Sequence, residues 1–240
     1  MYDVSKTVRE FAVEVPQATR LFEKLGIDYC CGGGKSLREA CETANIPVDD
    51  VVSKLLSSAK EDASSSNADW STEKLSDLAD YIVAKHHVYV RQELPRLEQL
   101  LAKVASKHAP KHPELNKVQS NFHALSEELT SHLMKEEQIL FPYVKELEAA
   151  GDDPGRTRPP MFGSVKNPIH MMEIEHDSAG NALRELRNIT NNFTAPEEGC
   201  FSYKALYQGL AEFEADLHQH IHLENNILFP RAIELESRAE

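Results

Sequence analysis

HLMKEEQILFPYV at residues 132–144 and HIHLENNILFPRA at residues 220–232 are two copies of one pattern, and their reading decides the fold. Each has H-x-x-x-E followed by ILFP, which puts a histidine and a carboxylate one helical turn apart on the same face. Around the first copy, Leu125, Leu129, His132, Glu136, Ile139 and Tyr143 follow the three- and four-residue steps of a core-facing stripe. Leu206, Leu210, Phe213, Leu217, His220, Glu224 and Ile227 do the same around the second. Both patterns therefore belong to long helices that turn a histidine and a glutamate into a core. Pro142 and Pro230 are expected to kink or end each helix shortly after its glutamate.

Two further periodic segments lie outside the repeats. Four helices result, roughly over 71–106, 114–149, 166–192 and 203–238, separated by the breakers KHAPKHPE, GDDPGRTRPPMFGSVKNP and NNFTAPEEGC. Two short connections and one longer middle one suit an up-and-down four-helix bundle, and nothing between them has the alternation of a strand. The fold class is all-α. The first helix has His87 in the row Val83, His87, Val90, Leu94, Leu97, Leu101 and Val104, and the third has His176 in the row Ile169, Met172, His176, Ala179, Leu183 and Leu186. His86 continues Leu75, Ala79 and Ile82, but that row then meets Glu93, so His86 is the weaker alternative to His87. His218, His222 and Glu137 fall off the stripes and are expected in solvent.

An ionised carboxylate inside a core is costly unless paired or metal-bound, and these stripes offer no inward lysine or arginine. Imidazole with carboxylate suits iron, zinc, manganese or copper, and bundle cores host carboxylate-bridged di-iron pairs. Six inward ligands, His87, His132, Glu136, His176, His220 and Glu224, point to two ions. If both glutamates bridge, each ion receives two imidazoles and two carboxylate oxygens, with room for an oxo or hydroxo bridge and an open position. A structural zinc site would want four ligands, usually thiolates. The haem-attachment spacing C-x-x-C-H is absent from the chain.

Ahead of the bundle (71–240), residues 1–60 read as a small helical domain, joined to it by an acidic, serine-rich linker over 61–70. The small domain has Cys30 and Cys31 followed by three glycines and Lys35, and then Ser36 and Glu39 at capping-box spacing. A helix start and a lysine beside the thiols favour thiolate, and the glycines allow close approach to the backbone. The other reading is a tight turn with inert thiols, or a strained vicinal disulfide. Cys41 and Cys200 have no partner motif and are read as structural.

Among the 240 residues, 26 are Lys or Arg and 39 are Asp or Glu, a net charge of -13 that repels nucleic-acid phosphates. No apolar stretch approaches the ~18 residues a membrane helix needs. The start MYDVSKTVREF lacks the apolar region of a secretory signal, and four cysteines are too few for a disulfide framework. The expected setting is cytoplasmic, without nucleic-acid or membrane partners.

The two repeat motifs, with EHDSAG at 175–180 and the HH pair ahead of VYVRQELP at 88–95, resemble hemerythrin-like domains. Together with DYCCGGG at 28–34, they make nearly the whole chain similar to the iron–sulfur cluster repair di-iron proteins, the repair of iron centres family. The resemblance implies the same six ligands for two iron ions, both glutamates bridging, with Glu128 and Glu175 near the access path. Oxygen-carrying hemerythrins use five histidines with a Glu and an Asp, so oxygen transport is not implied. The resemblance instead implies a stress protein that restores iron–sulfur clusters damaged by nitrosative or oxidative chemistry by supplying iron, rather than a conventional turnover enzyme. The alternatives are a nitric oxide or peroxide reductase at the iron pair, and a gas sensor. The implied partners are damaged iron–sulfur proteins and small gases such as nitric oxide, with a homodimer left open. Cys30 and Cys31 then read as a pair that receives or relays iron, sulfur or nitric oxide.

Overall fold

Two capping boxes organise the N-terminal residues. The Thr7 side chain accepts from the Glu10 amide while the Glu10 carboxylate accepts from the Thr7 amide, which opens α1 (Val8–Glu14). Ser36 and Glu39 repeat this at α3 (Leu37–Thr43), as their spacing predicts. Between and after them run α2 (Ala18–Leu25), which Gly26 ends with a φ of 66°, and α4 (Val48–Glu61). Phe11, Phe22, Leu37, Val51 and Leu55 fill the small core they enclose. Each fully buried side chain of this kind contributes ~1.5–3 kcal/mol of transfer free energy. The computed structural model describes residues 2–15, 17–61, 69–151 and 160–239, so most of the linker expected over 61–70 lies outside the described residues.

Four long helical rods follow, and among the described residues the chain has no strand, only an isolated bridge between Thr7 and Ser36. The all-α expectation stands. Rod one is α5 (Leu75–Ile82), a π turn (Val83–His87) and α6 (Val88–His108). Rod two is α7 (Glu114–Lys135), a second π turn (Glu136–Leu140) and α8 (Phe141–Ala150). Rod three is the unbroken α9 (Lys166–Ile189), and rod four is α10 (Phe201–Leu223), a third π turn (Glu224–Leu228) and α11 (Phe229–Ala239). Rod one packs beside rods two and four, and rod two beside rod three. No described helix is long and apolar enough to cross a membrane.

The π turns explain where the stripes depart from a simple helical period. A π turn adds one residue, so the apolar face beyond it shifts by one position. In rod two the burial passes to Leu140, and Ile139, expected inward, is 48% exposed. In rod one the buried row ending at Ile82 and His86 hands over within the turn to the row beginning at His87 and Val90. The prolines do not end their helices. Pro142 and Pro230 each stand second in the α-helix after a π turn, and the carbonyls their rings would strike four residues back lie inside that widened turn. Both rods then continue, to Ala150 and Ala239.

Two carboxylates, Glu148 half-buried and Glu236 buried, tie the rod ends together. Glu148 of rod two accepts from the Leu75 and Ser76 amides at 2.6 and 2.9 Å, closing the first turn of α5. Glu236 of rod four accepts from the Val165 amide, Ser164 Oγ and Tyr143 Oη at 2.8, 2.6 and 3.0 Å, just before α9. Two apolar clusters fill the bundle. One runs from Leu97 through Leu129 to Leu217, the other from Ile82 through Phe141 to Leu228. Between them lies a polar slab.

Candidate metal centre

Six side chains occupy that slab, and all six are buried: His87, His132, Glu136, His176, His220 and Glu224. They divide into two nests that share both glutamates: His87, His220, Glu136 and Glu224, and His132, His176, Glu136 and Glu224. Within each nest the donor atoms lie within 4.8 Å of one another. Glu136 turns Oε2 toward His87 Nε2 at 3.4 Å and Oε1 toward His132 Nε2 at 3.3 Å. Glu224 turns Oε1 toward His220 Nε2 at 2.9 Å and Oε2 toward His176 Nε2 at 3.1 Å. Each carboxylate thus offers one oxygen to each nest. Each of the three π turns contains one of these residues, at its end for His87 and at its start for Glu136 and Glu224.

Imidazole nitrogens meet in the same places. Nε2 of His87 lies 3.2 Å from Nε2 of His220, and Nε2 of His132 lies 3.1 Å from that of His176. Ligands ~2.1 Å from an ion and at right angles to one another are ~3 Å apart, so these spacings fit donors arranged around a cation. The outer nitrogens support the same reading. His87 Nδ1 donates to Glu137 Oε1 at 2.6 Å, His132 Nδ1 to Glu175 Oε2 at 2.8 Å and His176 Nδ1 to Asn225 Oδ1 at 2.8 Å. A proton fixed on Nδ1 leaves the Nε2 lone pair facing the nest. Both oxygens of Glu136 and Oε2 of Glu224 are buried without a hydrogen-bond donor among the described residues. A cation supplies what they lack, so the residues present fit a metal pair.

The charge balance agrees. Burial opposes ionisation of Glu136, but the positive charge that His132 and His220 can carry holds its carboxyl well below the usual range. Burial and the neighbouring charge of Glu136 oppose ionisation of Glu224, yet His220 and His176 hold it low too. His132 is pushed up to about 9, its burial outweighed by Glu136. Two buried negative charges thus sit in a slab that favours positive charge between them.

Several neighbours depart from the stripe reading. His86 is buried, but its Nδ1 faces Asp216 Oδ1 at 3.0 Å and its ring stacks on His220 at 5.6 Å, outside both nests. His222, expected in solvent, is buried against the Tyr29 ring, with Nδ1 at 2.7 Å from Asn226 Nδ2. The cause is the N-terminal domain, which covers this side of rod four. His218, also expected in solvent, is partly covered and pairs with Glu23 of α2 at 2.9 Å. Glu137 is half-buried rather than solvated, because its oxygen is taken by His87. Of the two carboxylates assigned to an access path, Glu175 backs His132, whereas Glu128 is exposed and accepts from Ser178 Oγ at 3.0 Å.

The cysteine pair reaches the same centre from outside. Cys31 Sγ donates to the backbone carbonyl of His176 at 3.5 Å, and Asn226 donates to the carbonyl of Tyr29 at 2.9 Å, so the CCGGG loop is seated beside rods three and four. Gly33 is required there, since a Cβ would lie 2.7 Å from the Tyr29 carbonyl oxygen. Cys30 is buried, its Sγ 3.9 Å from that of Cys31 and 3.5 Å from Asp28 Oδ1. The adjoining Cys31 and burial hold the Cys30 thiol well above its usual range, which corrects the expectation of a thiolate at that position. Cys41 is buried as expected. Cys200 is exposed at the start of α10, 3.3 Å from His108 Nε2.

Comparison with known proteins matches residues 78–232 to the hemerythrin HHE cation binding domain and residues 4–59 to a domain of unknown function (DUF542). The chain is 38% identical to a probable iron-sulfur cluster repair protein of Haemophilus influenzae, over 93% of this chain and 95% of that one. It is 37% identical to the iron-sulfur cluster repair protein YtfE of Yersinia pseudotuberculosis, over 95% and 97% of the two chains. With the YtfE protein of Escherichia coli O81 the identity is 39%, over 93% and 94%.

Proposed function

This chain belongs to the iron–sulfur cluster repair proteins with a hemerythrin-like domain, and we propose from that membership that its six-residue centre holds two iron ions used in repair. The ligands in this reading are His87, His132, His176 and His220, with Glu136 and Glu224 bridging, and the pair is carboxylate- and oxo-bridged. The observation that carries the reading is the sharing of both buried glutamates by two histidine nests, each carboxylate presenting one oxygen to either side. When bound, the pair supplies redox-active, transferable iron.

The chain's own residues supply the rest. The two apolar clusters keep bulk water from the slab. Glu137, Glu175 and Asn225 hold three imidazoles with Nε2 inward. The small N-terminal domain of residues 1–60 makes the contact with iron–sulfur proteins damaged by nitric oxide or oxidants, in a cytoplasmic setting. Cys31, against the carbonyl of His176, is the thiol best placed to meet iron leaving the second nest. Glu128 and Glu175 mark the seam between rods two and three where iron passes.

The test mixes iron-loaded chain with a cluster enzyme inactivated by nitric oxide and follows both partners. Recovery of the enzyme in step with iron loss from the chain is the expected result. Recovery without iron loss, or steady consumption of nitric oxide with a supplied electron donor and no recovery, overturns it.

A further inference from the structure

The repeat that builds the bundle is broken in what stands behind the histidines. Rod four follows rod two at an offset of 88 residues, which aligns His220 with His132, Asn225 with Glu137 and Leu223 with Lys135. Rod three follows rod one at an offset of 89, which aligns His176 with His87, Glu175 with His86 and Gly180 with Arg91. In the first half of the chain both imidazoles are backed by a carboxylate, and both carboxylates are gripped by a cation. Glu137 Oε1 accepts from His87 Nδ1 at 2.6 Å and from Arg91 Nη2 at 2.8 Å. Glu175 accepts from His132 through Oε2 and from Lys135 through Oε1. In each case one carboxylate is held by two donors on the preceding rod, three or four residues apart.

The second half has the same places with the charges removed. Asn225 stands behind His176 where Glu137 stands behind His87. His86 occupies the place behind His220 but stacks on that ring instead of accepting from it, and His220 Nδ1 is buried without a hydrogen bond among the described residues. The positions of the two cations are taken by Gly180 and Leu223. Each nest therefore has one imidazole backed by a charged carboxylate and one that is not. A carboxylate behind a ligating histidine raises its basicity and fixes its ring, and losing such a partner typically costs ~10–100-fold in metal affinity.

We propose that Arg91 and Lys135 are positioning residues for metal retention: through Glu137 and Glu175 they lock His87 and His132, while His176 and His220 are the ligands that yield when metal leaves. The inference rests on the proposed iron pair and adds which half of the bundle keeps the iron and which lets it go. It also places the yielding side of one nest beside Cys31, whose thiol contacts the carbonyl of His176.

The experiment loads the full chain with iron and measures its transfer to a coloured iron chelator, with the visible spectrum of the loaded protein and the melting of the metal-free protein as parallel readouts. Arg91→Gln and Lys135→Gln each speed release by roughly tenfold, at the lower end of the outer-partner range, with melting of the metal-free chain unchanged. Arg91→Lys restores most of the wild-type rate. In a Glu137→Gln background Arg91→Gln adds nothing further, because it acts through that carboxylate. Asn225→Asp, which adds a carboxylate behind His176, slows release, an outcome that loss of structure does not produce. Wild-type release rates in both cation variants overturn the proposal, as does an equal effect of Arg91→Gln with and without Glu137. A wild-type chain that takes up no iron pair would instead defeat the functional reading beneath it.

Discussion

The sulfur of Cys31 lies close against Gly180: a Cβ built on that glycine would stand 3.3 Å from Cys31 Sγ, a tight contact. Glycine inside α9 costs roughly 1 kcal/mol relative to alanine, and here it makes room for the thiol of another domain. Gly180→Leu is expected to displace the CCGGG loop from rod three and leave the nests intact. The measurement is the alkylation rate of Cys31, which should rise several-fold, alongside an unchanged iron content. An unaltered rate would mean that the loop is not held at this point.

The four thiols differ in access and surroundings, and these differences set their order of alkylation. Cys200 is exposed at a helix start, where the Tyr203 amide holds its thiol below the usual range and His108 lies at 3.3 Å. Cys30 and Cys41 are buried, and burial raises both, together with the adjoining Cys31 in the case of Cys30. Mass-spectrometric mapping of a brief iodoacetamide pulse on the folded chain should find Cys200 modified first, then Cys31, with Cys30 and Cys41 last. Early labelling of Cys30 would contradict the burial described for it.

Glu148 closes the first turn of rod one from the end of rod two, and this link should respond to acid. Burial opposes its ionisation, but Ser76 and the Leu75 amide outweigh that and hold the carboxyl below its ordinary value of 4.5. A carboxyl lowered on folding contributes stability above its unfolded value, and that contribution is lost as pH falls through the folded value. Glu148→Gln should therefore cost ~1 kcal/mol near neutral pH, the worth of a helix cap, and progressively less below about pH 4.5. Denaturant unfolding at the two pH values reads this directly. A constant difference across that range would show that the charge is not what matters.

Much of this was legible in the chain because a bundle core writes itself as three- and four-residue steps. His132, Glu136, His220 and Glu224 stood out through the repeat, and His176 through an unbroken stripe, since α9 is regular from end to end. Where a π turn intervenes, the period slips by one residue. Ile139 therefore read as inward although Leu140 takes the burial, and His86 read as weak although it is buried next to His87. The prolines of ILFP were the available signal for the turns of rods two and four, and the rod-one turn at Val83–His87 has no such mark. Glu137 and Asn225 were missed as partners of His87 and His176 because they lie off their own stripes and act on the neighbouring rod. His222 was missed for a different reason, that its cover comes from Tyr29, far away in sequence. Neither the domain contact nor the fate of the cysteine pair leaves a periodic mark.

The shared-glutamate centre is tested most sharply by the number of irons bound per chain after iron-replete expression, for the wild type and for Glu136→Ala and Glu224→Ala. Each glutamate serves both nests, so about two irons are expected per wild-type chain, as for carboxylate-bridged pairs in bundles, with a loss from both nests in either variant. Fewer than about two irons in the wild type, or a full complement retained by either variant, would contradict a centre built on shared glutamates.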